Sequence, residues 1–476
     1  MSDRLELREL GLAAVALFAV TGIAIAMGWY TPVVALLVPV LIAGLVFTPA
    51  ARPVILLLAA SSFVFVWAAP SVAVGSINVY LGEGLLFVVC AATAFDMLRE
   101  GSPRGLFRDP VSPFVALFGV AALVGVVIGF SQGTAFSDVF GGFRPMVFAF
   151  AFVVVRFALA RPVWRRGFLI ATSVVAVLLA AAQAIQVATG SAVNLFVVGD
   201  FSDLIAQDPA TGFLRVRPPG LYLEYAVACM AAVYVIWGPK RGRVWALVVL
   251  ASTLGGIFLS FNRNMLVGFV IALVVAATFS TRRSRFLTVA VVLVLLAFLG
   301  FVYLGGPTSS NPVVQRFVSL TDPNARAVAL ADRNYETGLA FLAASRSPIV
   351  GIGWGTPYGA SATRVFEDIV ASRQRDWVHN QYLASWLRMG LLGAIAFIGI
   401  IGATIFSSIR ASRFEGDEEL TWLAPACLAA MTAFAVSSAV DLVMLSPSNL
   451  PVFVTIAAIG SFLWARRREL SGEAAQ

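Results

Sequence analysis

Apolar runs of about 20 residues, cut by short breaks that carry arginine, recur along nearly the whole chain. A run of that length crosses the hydrocarbon of a bilayer as a helix, because lipid offers nothing to hydrogen-bond the backbone and a helix satisfies its own. Between breakers the sequence predicts about fourteen helices, centred near Ala19, Val40, Phe63, Val88, Gly119, Phe152, Val175, Ala228, Leu250, Ala272, Val292, Gly393, Ala430 and Ala457. The narrowest break is Asn262-Arg263-Asn264. The fold class this predicts is all-α, a polytopic transmembrane bundle of about 12–14 spans. Composition agrees: 60% of the 476 residues are hydrophobic and only 12% charged, whereas soluble domains carry about 25% charge. An ordinary soluble enzyme and a disordered chain are thereby excluded. The first apolar run lacks a small-residue cleavage site and another follows at once, so it is expected to remain as a span rather than a signal peptide.

The basic residues give orientation. Alternate loops, from Arg4 and Arg8 through to Arg466, Arg467 and Arg468, hold twenty of them; the short loops of the other set hold only Arg144 and Arg263. Positive charge accumulates on the cytoplasmic side, so both termini are expected there. The two long polar stretches, Ser191 to Pro219 and Gly305 to about Asn380, are then expected outside. The net charge of +8 belongs to these loops and to anionic headgroups, not to nucleic acid. Four segments result: N-terminal spans over 1–190, spans with an outer loop and arginine motifs over 191–304, a large extracytoplasmic helical loop over 305–380, and C-terminal spans with a cytoplasmic tail over 381–476. Cys90, Cys229 and Cys427 all fall inside apolar runs, and no spacing suggests a disulfide or zinc site.

Outer arginines run against the topological bias and need a reason. Taken together, Arg144, Arg215, Arg217, Arg263 and those of the large loop suggest an anion on the outer side. Each also has a plain reading, as a solvated or headgroup-bound side chain, or for Arg263 a guanidinium snorkelling to the interface. Arg333 lies in an amphipathic helical pattern expected on the outer face, where Glu336, three residues on, would form a surface salt bridge with it. Ser347-Pro348-Ile349-Val350-Gly351-Ile352-Gly353-Trp354-Gly355 follows; its alternate glycines allow close backbone approach and are a weak phosphate signal. His379, the only histidine, stands where the large loop enters the next span, a place suited to proton transfer or to capping a helix. No Walker motif, no outer Asp-x-Asp and few mid-membrane ionisable groups besides Asp441 are legible, which disfavours ATP-driven, metal-dependent and ion-coupled chemistry.

In order along the chain, four motifs resemble one family. Arg217-Pro218-Pro219-Gly220 is similar to an Arg-x-x-Gly before a span. Asn262-Arg263-Asn264 is similar to a Ser-Arg-Gly or Ser-Arg-Asn break. Arg333 with the Pro348 glycine stretch is similar to an Arg…Pro-x-x-Gly-x-Gly segment. His379-Asn380-Gln381-Tyr382-Leu383, followed by Gly390-Leu391-Leu392-Gly393, is the most specific. From Arg215 to about Ile400 the chain thus resembles the O-antigen ligase and polymerase superfamily of membrane glycosyltransferases, which act on lipid-pyrophosphate-linked glycans. The first 200 residues resemble it in hydropathy only, and Arg388 stands where many members have Glu.

The resemblance implies that Arg263, Arg333 and His379 are catalytic and that neither metal nor cofactor is required; Arg144, Arg215, Arg217, Asn380 and Tyr382 are expected to contact substrate. It implies a polyprenyl-pyrophosphate-linked glycan as donor, a glycan or lipid-glycan acceptor, and a site on the outer side of a bacterial plasma membrane. A flippase or polysaccharide exporter is the non-catalytic alternative; it would need neither the boundary histidine nor the long outer loop.

Overall fold

The computed structural model describes residues 52, 71–74, 77–100, 107–189, 205–207, 214–218, 220–260, 262–279, 323–359, 378–414, 416–441 and 449–472. The runs centred near Ala19, Val40, Phe63 and Val292 lie outside the described residues. The rest is a helical bundle: α1 Leu81–Glu100, α2 Ser112–Ser131, α3 Phe136–Leu159, α4 Pro162–Thr189, α5 Leu221–Trp237, α6 Arg243–Leu259, α7 Arg263–Thr278, α8 Pro323–Arg346, α9 Gln381–Ser412, α10 Glu418–Ser438 and α11 Leu450–Leu470. Within α3, Arg144–Phe150 tighten into a 3-10 stretch. Among the described residues, α2, α3, α4, α9, α10 and α11 are long and apolar enough to cross a membrane, and α5, α6 and α7 are shorter apolar helices. Two antiparallel ribbons were not anticipated: β1 Ser71–Val74 with β2 Ile77–Tyr80, and β3 Ile205–Gln207 with β4 Leu214–Val216.

Local chemistry sets the helix starts. Asp109 accepts hydrogen bonds from the backbone of Val111 (2.8 Å) and Ser112 (3.0 Å) ahead of α2. Asp417 caps α10 by accepting from Glu419 and Leu420, and Glu418 and Glu419 in the first turn suit the positive end of the helix dipole. Packing then sorts the helices. α10 and α11 are buried on nearly every side; their alanines and Gly460 let neighbouring backbones come close, as in membrane bundles. α2 buries one stripe only, Phe118, Ala121, Ala122, Gly125 and Gly129, and turns Val120, Leu123 and Val127 outward, as a lipid-facing helix does. Tyr225, Phe397, Phe434 and Phe453 form an aromatic layer joining α5, α9, α10 and α11.

Helix ends collect in two groups that follow the alternation of the basic loops. Glu100 pairs with Arg161, Arg165 with Glu419, and Arg466 with Asp417, while Tyr234 packs edge-on against Trp422. At the opposite end Glu83 pairs with Arg144, Tyr222 with Asp441, and His379 with Glu336. The narrow break at Asn262 is a true reversal. A Cβ on Gly256 of α6 would meet Glu224, and one on Gly268 of α7 would meet Tyr225. Two neighbouring residues of α5 thus pack against the chain on its way up and again on its way down.

Candidate active site

His379 is placed by the turn that opens α9. Asn380 has extended backbone (φ −142°, ψ 109°), and its side-chain oxygen accepts from the Leu383 N–H at 3.0 Å, so the helix begins at Gln381. Val378 is buried in a small apolar cluster with Ala340, Ala344, Leu383, Ala384 and Leu387, which fastens this turn to α8. The face of α8 that does this is Glu336, Ala340 and Ala344, spaced four residues apart and all buried. Phe341 meets Trp386 of α9 edge-on at the rim of this contact, and Leu342 is exposed.

Glu336 therefore turns inward rather than lying on a solvated face beside Arg333. Its side chain is 2% exposed, and its carboxylate accepts from the His379 backbone N–H and faces His379 Nδ1, at 3.0 Å through Oε2 and 3.2 Å through Oε1. The imidazole itself is 31% exposed. Arg333, one helical turn earlier, is exposed and reaches the Val440 carbonyl with Nη1 at 3.4 Å, at the end of α10. The next residue, Asp441, accepts from the Tyr222 hydroxyl at 3.1 Å. Tyr222 lies in the first turn of α5, just after Arg217-Pro218, and Arg217 is within charge range of its hydroxyl.

Arg263 is the first residue of α7. Gly268 packs at the level of Tyr225, so the Arg263 backbone stands about 7 Å nearer the end that holds Tyr222 and Asp441. This end of the bundle thus brings His379, Arg333 and Arg217 together with the backbone of Arg263, from four stretches of sequence. Arg215 sits on β4 opposite Ala206.

The remaining expected residues have structural partners. Arg144 makes a two-point ion pair with Glu83 of α1, Nη2 to Oε2 at 2.5 Å and Nε to Oε1. The Tyr382 hydroxyl donates to the Ala435 carbonyl at 2.9 Å, and its ring meets Phe397 edge-on. The glycine stretch after α8 packs against helices. Ile352 N–H donates to the Leu387 carbonyl (2.8 Å), and Trp354 donates its backbone N–H to Gly125 and its indole N–H to Ala122 of α2 (3.1 and 2.8 Å). Gly353 (φ 83°) lies so close to the Gly129 backbone that a Cβ would overlap it, and Gly390 (φ 66°) interrupts α9 where Ile349 and Val350 press on it. Close approach is the realised use of these glycines. Arg388, buried, donates to the carbonyls of Gly353 and Thr356 and holds the loop's shape.

Sequence reasoning missed Glu336 and Arg388 as organisers of the site. The register of Glu336 with Ala340 and Ala344 was the available signal for the first; nothing local signalled the second. Among the described residues, no group of three or more His, Cys, Asp or Glu side chains is placed to hold a metal ion.

No curated protein matches the chain. Residues 246–398 match the family described as O-Antigen ligase. The match contains the Arg263 break, Arg333, the glycine stretch and the His379 motif, while Arg217-Pro218-Pro219-Gly220 lies before it. Residues 246–398 are thus similar to the O-antigen ligase family, within a chain whose long apolar helices make it a multi-pass membrane protein.

Proposed function

We propose that the chain moves a glycan from a polyprenyl-pyrophosphate donor to an acceptor hydroxyl, with inversion at the anomeric carbon and no metal, on the outer side of a bacterial plasma membrane. The observation that carries this reading is that α8 supplies, three residues apart, both Arg333 and the Glu336 carboxylate that holds His379.

The chemistry fits these groups. As the sugar–oxygen bond breaks, negative charge grows on the departing lipid pyrophosphate. Guanidinium binds phosphate by two points and is always charged, so Arg333 and Arg263 can stabilise that charge. Arg263 opens a helix, whose free N–H groups favour the same anion. Arg217 and Arg215 would flank the donor. Arg144 would have to give up Glu83 first, so it ranks below them. His379 would take the acceptor proton, worth roughly 10²–10⁴-fold. The basic loops at the other end, following the positive-inside bias, support a cytoplasmic placement of that end and of both termini.

His379→Ala tests the reading. Purified in detergent with wild-type monodispersity, the variant should lose nearly all transfer from a lipid-pyrophosphate glycan, while wild-type transfer should fall on acidification and survive EDTA. A folded His379→Ala protein that transfers glycan normally would return the histidine to a structural role and leave the exporter reading ahead.

A further inference from the structure

We propose that Glu336 is the positioning residue for His379: it fixes the imidazole as the Nδ1–H tautomer and leaves Nε2 unprotonated for the acceptor hydroxyl. This rests on the reading of His379 as the base and names what makes it one.

The geometry is a two-point grip. Oε1 accepts from the His379 backbone N–H, and Oε2 lies 3.0 Å from Nδ1 of the same residue. A carboxylate only accepts, so the ring nitrogen facing it carries the proton. A neutral imidazole has one N–H, so a proton on Nδ1 leaves a lone pair on Nε2. The grip also fixes the ring's direction, because backbone and ring of one residue are tied to one side chain. Glu336 is itself held: it is 2% exposed, on a helix whose next two turns, at Ala340 and Ala344, are packed against the start of α9. A partner this buried loses little freedom when the acceptor arrives.

The balance of the step is simple. The acceptor O–H gives its proton to Nε2, and its electron pair forms the new bond to the anomeric carbon. The bond from that carbon to pyrophosphate breaks, and the pair leaves with the lipid pyrophosphate. The imidazolium formed lies against the Glu336 carboxylate, which stabilises its positive charge at the moment it appears. Arg333, on the same helix three residues before Glu336, would meet the negative charge of the leaving group. One helix would thereby set both the base and a guanidinium in register.

The single histidine makes the test direct. In the full chain, purified without a histidine tag and labelled at histidine, ring-nitrogen NMR reports His379 alone. At alkaline pH the proton should sit on Nδ1. Glu336→Gln keeps an oxygen for the His379 backbone N–H, so the turn stays anchored, but it no longer dictates the tautomer; the spectrum should change to Nε2–H or a mixture. Transfer by this variant, measured in proteoliposomes with lipid-pyrophosphate glycan extracted from producing cells, should fall on the order of 10²-fold in kcat with KM retained. Glu336→Asp, which keeps the charge at shorter reach, should recover part of the rate. An Nε2–H tautomer in the wild type would overturn the proposal, as would a Glu336→Gln protein with an unchanged spectrum or with full kcat. None of these results touches the His379→Ala experiment, so failure here and failure of the glycosyl-transfer reading stay separable.

Discussion

The two ends of the bundle use arginine in opposite ways. At the end that gathers the basic loops, guanidinium meets carboxylate: Arg161 with Glu100, Arg165 with Glu419 through two nitrogens, and Arg466 with Asp417 and Glu469 at 3.2 and 3.1 Å. Aromatic faces cover two of them, with Arg161 4.0 Å from the Trp164 ring and Arg165 4.5 Å from that of Phe462. At the other end Arg333 is exposed and, among the described residues, reaches one backbone carbonyl, that of Val440, at 3.4 Å. A guanidinium already neutralised by a two-point carboxylate must surrender that partner before it gains a phosphate. One held only by a carbonyl keeps its charge and most of its donors for an incoming anion. The first kind builds the fold, and the second is available for chemistry. Arg144, paired with Glu83 yet at the same end as Arg333, marks the boundary between them.

The largest effect expected from this contrast is at Arg333 and Arg263. Lysine carries the same charge but not the planar two-point contact. Arg333→Lys and Arg263→Lys should each cut transfer by about 10²–10³-fold, the usual loss of one transition-state donor. If the contact strengthens as the bond breaks, the loss lies in kcat; if it only holds the donor, it lies in KM. Arg333→Lys with normal turnover would erase the distinction between the two ends.

The matching change at the other end should damage stability instead. Arg165 is nearly buried and Glu419 about a third exposed, so the pair is worth more than a surface bridge and less than a fully buried one. Glu419→Gln should lower unfolding free energy by about 1–3 kcal/mol, read in detergent denaturation, with transfer per folded molecule unchanged. A stable Glu419→Gln protein that has lost transfer would mean that the charge at that end is coupled to the chemistry.

How much of this was legible follows from what each feature depends on. Period and length alone place α1 to α7 and α9 to α11, because an apolar helix is specified within its own stretch of sequence. The reversal at Asn262 was legible for the same reason: one arginine between two asparagines is a local break. Gly390 was not. Its left-handed φ inside α9 exists because the Ile349–Val350 backbone passes against it, some forty residues away in sequence. The glycine stretch could be read as permitting close approach but not what it approaches, since Ala122 and Gly125 lie more than two hundred residues earlier. At the candidate site, His379 stood out as the chain's one histidine at the start of a span, and Arg333 through the family resemblance. Glu336 did not, because a glutamate three residues from an arginine reads first as a surface pair; only the turn carrying His379 draws it inward.

The smallest expected effect concerns Asn380, next to His379 in the same motif. By position alone it is a substrate-contact candidate, yet its side-chain oxygen already accepts from the Leu383 N–H at 3.0 Å as the cap of α9. A cap removed costs about 1 kcal/mol, and α9 is in addition held by Val378, Leu383 and Leu387 packed on α8. Asn380→Ala should therefore lower the unfolding midpoint slightly and leave kcat nearly intact, while Asn380→Ser or Asn380→Asp, which can still cap, should restore the midpoint. A contact to donor or acceptor would show differently: KM would rise in all three variants, because serine and aspartate replace the oxygen of the cap but not the amide. Because α9 begins within two residues of His379, the same series also measures how firmly His379 is held. If the alanine variant loses kcat and the capping variants regain it, the helix start contributes to placing His379 alongside the grip of Glu336.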